Sequence, residues 1–137
     1  MSFRFRPMPI GPTGTLSRPL VDVIVEGLDA APQACLVDTG ATAVRMSAEI
    51  AEAVGLDLAG APEDEVVAGG MRVRGREANV DLTIVLDGRP VTWAAPVWFC
   101  EDWPQAFGLL GLRGFLDVFD LTMSGCDETF ALTPRFA

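Results

Sequence analysis

The sequence predicts a mainly β domain with one or two short helices. Three observations carry this. The 137 residues are half hydrophobic and about a fifth charged, a globular composition with enough apolar material for a core. The apolar runs are short. The 14 Gly and 10 Pro are scattered between those runs, as turns between strands would be.

Each element can be justified in order. Ser2 to Arg6 alternates polar and apolar, which suits a short terminal strand. Pro7 to Gly14 reads as a loop. Leu20 to Val25 and Ala34 to Val37 are strands, and the turn residues Gly27 to Pro32 between them predict a hairpin. Asp38-Thr39-Gly40-Ala41-Thr42 follows the second strand directly. Ser47 is placed as an N-cap, Ala48 to Val54 as a short helix and Gly55 as its C-cap. Ile50, Ala53 and Val54 share one face of that helix.

Glu65 to Ala68 and Met71 to Arg74 flank Gly69-Gly70, a pair that permits the positive φ of a tight hairpin turn. Asn79 to Leu86 and Arg89 to Ala94 flank Asp87-Gly88 in the same way. Val97 to Phe99 is a buried strand, Gly108 to Gly111 an apolar, flexible segment, and Phe115 to Phe119 a helical turn. Leu121 to Met123 and Thr129 to Thr133 are the last strands. No internal repeat or linker divides the chain, so a single domain spanning 1–137 is expected. Residues 1–18 would be an N-terminal extension, or an interface strand followed by a loop.

Composition excludes several function classes. The net charge is −9 and all ten basic residues are Arg. Such a domain repels phosphate backbones and anionic lipids, so neither nucleic acid nor membrane is an expected partner. No segment reaches the length of a membrane span, and no apolar run follows the N-terminal Arg residues as a secretory signal would require. With no His, Ser-His-Asp and Cys-His catalysis lose their base, and most catalytic zinc sites lose their ligands. Acid–base chemistry must come from Asp or Glu. Cys35, Cys100 and Cys126 contain no C-x-x-C pair and read as reduced, mostly buried thiols of a cytoplasmic protein. One disulfide plus a free thiol is the alternative.

Two segments could carry chemistry. In Leu36-Val37-Asp38-Thr39-Gly40-Ala41-Thr42 an apolar strand delivers a carboxylate into a turn. Gly40 allows close approach and Thr39 offers a hydroxyl to hold the turn. An ordinary turn after a strand would look the same. Some 70 residues later, Leu109-Leu110-Gly111 is followed by Gly114-Phe115-Leu116-Asp117-Val118-Phe119. Alone, that second segment reads as a core strand ending at a Gly.

Together the two segments resemble the retropepsin-like aspartic peptidases, including small bacterial members. The order of motifs agrees from about Leu20 to Leu121, with the helix from Ser47 to Leu56 and the Gly69-Gly70 hairpin at the family's flap position. The resemblance implies a single-lobe acid-protease β-barrel that works as a homodimer. It implies Asp38 as the catalytic residue, supported by Thr39, Gly40 and Ala41. Leu110 and Gly111 would pack under that turn, with Leu109 lining the substrate groove. No metal or other cofactor is implied; the partners are a second copy and an extended polypeptide substrate.

This chain holds one Asp-Thr-Gly, and the later candidates Asp117 and Asp120 lack the Thr-Gly turn. Hydrolysis by paired carboxylates therefore requires the Asp38 of a second chain. The terminal strands are the expected interface.

Three features depart from the family. Arg45 stands where an aliphatic groove residue is usual; it either selects an acidic substrate side chain or pairs with Glu49, four residues on. The flap has no Tyr. Met1 to Arg18 matches no motif. Arg72, Arg74 and Arg76 alternate on the flap strand, either as a solvated face or as a docking site for acidic peptides. Trp93, Trp98 and Trp103 read as core or interface residues. Two further readings compete with the peptidase: a silent dimer that binds a peptide or partner protein, and a structural β domain in which both motifs are coincidental.

Overall fold

The computed structural model describes residues 2–68 and 70–136. Gly69, one of the two expected flap glycines, lies outside the described residues. Twelve strands and one helix follow in order: β1 (Ser2–Arg4), β2 (Arg6–Pro9), β3 (Thr15–Arg18), β4 (Leu20–Val25), β5 (Gln33–Val37), β6 (Val44–Ser47), α1 (Ala48–Ala53), β7 (Glu63–Ala68), β8 (Met71–Leu86), β9 (Arg89–Cys100), β10 (Gly108–Leu110), β11 (Phe119–Ser124) and β12 (Thr129–Pro134).

The main sheet runs β4-β5-β10-β6-β9-β8-β7. An additional β4–β8 pairing closes six of these strands into a barrel and leaves β7 outside it. Alternation explains the closure. Val21, Val23 and Val25 of β4, Val80, Leu82 and Ile84 of β8, and Trp93, Ala95, Val97 and Phe99 of β9 all point into one buried core. Trp93 anchors one end of it. Its ring meets Phe119 edge-on at 4.9 Å, and its Nε1–H donates to the Gly114 carbonyl at 2.7 Å. An indole is buried here without leaving its polar atom unpaired.

The hairpin from Leu20 to Val37, the Ser47 N-cap and the Asp87-Gly88 turn stand where the sequence places them. Asp87 and Gly88 both have positive φ, 50° and 74°, as a two-residue hairpin turn of the tightest kind requires. The segments expected as separate strands between Met71 and Leu86 form one continuous β8, and those between Arg89 and Phe99 form one continuous β9. Gly108 to Leu110 is a strand rather than a flexible segment, held between β5 and β6. Phe115 to Phe119 does form a helical turn, with the Phe119 N–H donating to the Phe115 carbonyl at 3.0 Å.

The N-terminal region differs from the expected loop. Arg6–Pro9 pairs with Thr15–Arg18, placing two prolines in a strand. The Ile10 N–H donates to the Gly14 carbonyl, so alternation aims the Arg6 and Met8 N–H groups at the ladder. Pro7 and Pro9 then fall at outward positions, where a missing N–H costs nothing. The three terminal strands form their own sheet, ordered β1-β12-β11, with Phe3 stacked on Phe130 at 5.0 Å. β12 is central in that sheet, so only β1 and β11 present free edges.

All three cysteines are free; Cys35 and Cys100 are buried and Cys126 is exposed. Burial pushes the Cys35 thiol up from 9.0 to about 12. An unfolded chain would release that proton first, so stability is full below pH 9 and declines as pH rises towards 12. Denaturant midpoints measured upward from pH 9 are expected to fall, and to fall less steeply in Cys35→Ala. A thiol reagent should modify Cys126 in the native protein and reach Cys35 only on unfolding.

Candidate active site

The site begins at the end of β5. Val37 is buried in the core, so the next residue emerges at the barrel's rim, and Asp38 is half-buried there while Thr39 and Gly40 are exposed. The turn is closed by its own hydrogen bonds. The Ala41 N–H donates to the Asp38 carbonyl at 3.1 Å, and the Gly40 N–H donates to Asp38 Oδ1 at 2.9 Å. A carboxylate oxygen is thus held by the backbone of its own turn. A charged acceptor makes that bond stronger than a neutral one.

The second motif grips this turn from beneath. β10 runs parallel to β5, pairing Leu109 with Leu36 and Leu110 with Val37. The Asp38 N–H donates to the Leu110 carbonyl at 3.0 Å, the Leu112 N–H to Ala41 at 3.0 Å and the Arg113 N–H to Thr42 at 3.0 Å. The backbones meet at Gly111. A Cβ there would lie 2.5 Å from the carbonyl oxygens of both Ala41 and Ala43, closer than side chains can come. Leu110 is fully buried and Leu109 half-buried.

A row of cross-strand neighbours lies next to the turn. Leu36, Leu109, Arg45 and Trp98 occupy matched positions on β5, β10, β6 and β9. They share the face opposite the main core, because Val44 and Met46 on either side of Arg45 both point into that core. Val73 and Cys100, with Val66, Trp98 and Trp103 packed against them, form a smaller cluster on the flap side. Trp103 also fixes the 101–107 loop, its Nε1–H donating to the Phe107 carbonyl at 2.9 Å.

Arg45 is 9% exposed. Its Nη2 donates to Thr42 Oγ1 at 3.1 Å, and among the described residues its buried Nε has no hydrogen-bond partner. Among the described residues no carboxylate forms an ion pair with it, Glu49 included. Glu77, at the next matched position beyond Trp98, is taken by Arg113.

The flap arginines are satisfied differently. Arg72 pairs with Glu65 at 3.3 Å and Arg74 with Glu63 at 3.2 Å, while Arg76 pairs with Glu63 as well. They form a largely solvated ladder between β7 and β8, in which Glu63 is shared by Arg74 and Arg76. Gly70, between β7 and β8, has φ 78°. Asp117 accepts from the Gly114 N–H at 3.1 Å and Asp120 pairs with Arg135 at 3.2 Å, so neither serves the Asp38 turn.

A depression of about 270 Å3 beside the turn is lined by Arg18, Pro19, Leu36, Val37, Asp38, Thr39 and Met123. A larger hollow of about 470 Å3 lies at the other end of β5, among Gln33, Ser47, Ile50, Cys100 and Trp103. Glu49 and Asp102 also line it.

Residues 21–113 match a family model described as aspartyl protease, which is well over half of the chain. The chain belongs to that family. No curated protein sequence matches it. The structure is similar to a retropepsin-like aspartic protease from Rickettsia conorii, with a TM-score of 0.56 and 16% identity, covering 82% of this chain and 80% of that one. It is also similar to the retroviral protease-like domain of Ddi1 from Leishmania major, with a TM-score of 0.52 and 19% identity, covering 88% and 97%. The fold is therefore the retropepsin-like barrel.

The geometry separates two glycines of the site. Gly111→Ala forces a carbon onto two backbone oxygens and should lower stability by about 3 kcal/mol. Gly40→Ala meets only the Asp38 Oδ1, at 3.2 Å, and should leave the melting temperature nearly unchanged. Thermal unfolding of both variants checks the contrast.

Proposed function

We propose that the protein is an aspartic endopeptidase whose active site is completed by a second copy, with Asp38 of each chain forming the catalytic pair. The observation that carries this is the Asp38 turn itself. One carboxylate sits at the barrel rim, backed by Gly40 and by β10, and among the described residues Asp38 is the acidic one that lines the depression there. A two-fold partner would place its own Asp38 opposite.

Exposed apolar residues around the turn support the same reading. Leu112 is 52% exposed and its N–H holds the turn's Ala41; Met123, 41% exposed, lines the depression next to Thr39. Apolar surface around a polar site suits an interface. The contact would involve the turn, β11 and Leu112. β12 takes no edge role, because β1 and β11 flank it.

In the mechanism the two carboxylates share one proton, since neighbouring like charges cannot both ionise comfortably. The ionised one takes a proton from a water, which attacks the peptide carbonyl carbon. The protonated one gives its proton to the carbonyl oxygen. The tetrahedral intermediate then collapses as the C–N bond breaks and the leaving nitrogen gains a proton. The β7–β8 hairpin closes over an extended substrate lying along Leu109, Arg45 and Trp98, excluding water.

A silent dimer that holds a peptide without cleaving it is the second reading, and buried Arg45 is the observation that favours it. A diverse peptide pool incubated with wild type and Asp38→Ala, from about pH 4 to pH 7.5, separates the two. Both proteins are first shown folded and equally dimeric. Cleavage by wild type that is lost by at least about a thousandfold in the variant is expected. Binding without cleavage, unchanged in the variant, would select the silent dimer instead.

A further inference from the structure

We infer that Arg45 is a specificity-determining residue that binds an acidic side chain of the substrate, so that the protein acts on polypeptides with Asp or Glu close to the scissile bond. The inference rests on the peptidase reading for its cleavage arm, and on the groove geometry alone for its binding arm.

Four observations converge on it. Arg45 occupies the floor position between Leu109 and Trp98, where every other member of the row is apolar. It is nine-tenths buried, yet among the described residues its Nε has no partner. Its Nη2 donates to an uncharged hydroxyl, Thr42 Oγ1, four residues after Asp38. The acidic residues that could have neutralised it are committed elsewhere or do not reach it: Glu77 holds Arg113, Glu63 and Glu65 hold the flap arginines, and Glu49 makes no ion pair.

A guanidinium keeps its charge at any working pH. A buried charge without a counter-charge is costly, and an arriving carboxylate that accepts two of its N–H groups removes that cost. The planar fork suits a carboxylate better than any neutral side chain. Two inter-strand spacings separate β6 from β5, roughly 10 Å, which an extended peptide crosses in about three residues. The acidic residue is therefore expected within about three positions of the cleaved bond.

The test varies the substrate, so it does not depend on a variant folding. Short peptides cleaved by wild type are remade with each Glu exchanged singly for Gln, all with amidated C-termini. One exchange should lower kcat/KM by roughly tenfold or more, and Arg45→Met should erase the difference between the Glu and Gln forms. The same pairs are measured for binding to Asp38→Asn, where cleavage is not needed. Tighter binding of the Glu form is expected, again lost in the double variant with Arg45→Met.

Equal treatment of Glu and Gln at every position, in both arms, overturns the inference; it would also follow if a carboxylate of a second copy already paired with Arg45. A preference that needs a free C-terminal carboxylate, or that survives Arg45→Met, overturns it too. Selective binding with no cleavage would refute the peptidase and leave the role of Arg45 standing.

Discussion

The site depends on one close approach of two backbones. The turn at 38–43 and the segment at 110–113 are laced by three hydrogen bonds, with Gly111 at the contact. No side chain beyond hydrogen fits there. Asp38 is consequently set by the backbone of two strands that are distant in sequence, not by a side-chain network. Such a carboxylate is preorganised before any substrate arrives, which is what chemistry through fixed charges requires.

That constraint spreads outward. Because β10 is wedged between β5 and β6, the row Leu36, Leu109, Arg45 and Trp98 is in register across the barrel wall. Closure itself comes from the long alternating strands β8 and β9. They carry the flap at one end and the aromatic core around Trp93 at the other. The flap's ion-pair ladder adds little stability, as exposed pairs do. Its charges do keep an outlying hairpin soluble and its outer face polar.

Much of this was legible in the sequence, and the exceptions have physical causes. The two motifs, the Ser47 cap and the Asp87-Gly88 turn are local devices, so residue type and spacing reveal them. The single long strand β8 was not evident, because Gly75 and the charged residues around it interrupt the apolar pattern while the backbone runs straight on. The Pro7 and Pro9 strand was missed because proline weakens a strand assignment unless its parity on the edge is known. At the candidate site, the structure places Asp38, Leu109, Leu110 and Gly111 next to one another. The bond of Arg45 to Thr42 could not be read from the sequence, nor could the commitment of Glu77 to Arg113. Both depend on which cross-strand neighbours the register supplies. One signal was available: Arg45 falls between Val44 and Met46, so it had to face away from whatever buried those two.

Completion of the site by a second copy is the central claim, and subunit mixing tests it most directly. Asp38→Asn keeps an oxygen able to accept from the Gly40 N–H, so the variant should fold and pair normally. Increasing amounts are equilibrated with a fixed amount of wild type, and peptide cleavage is followed. If each active site needs Asp38 from both chains, mixed pairs are inactive and cleavage per wild-type chain falls steadily as the variant is added. Cleavage that stays constant, although mixed pairs are shown to form, would mean that one chain carries a complete site and would contradict the account.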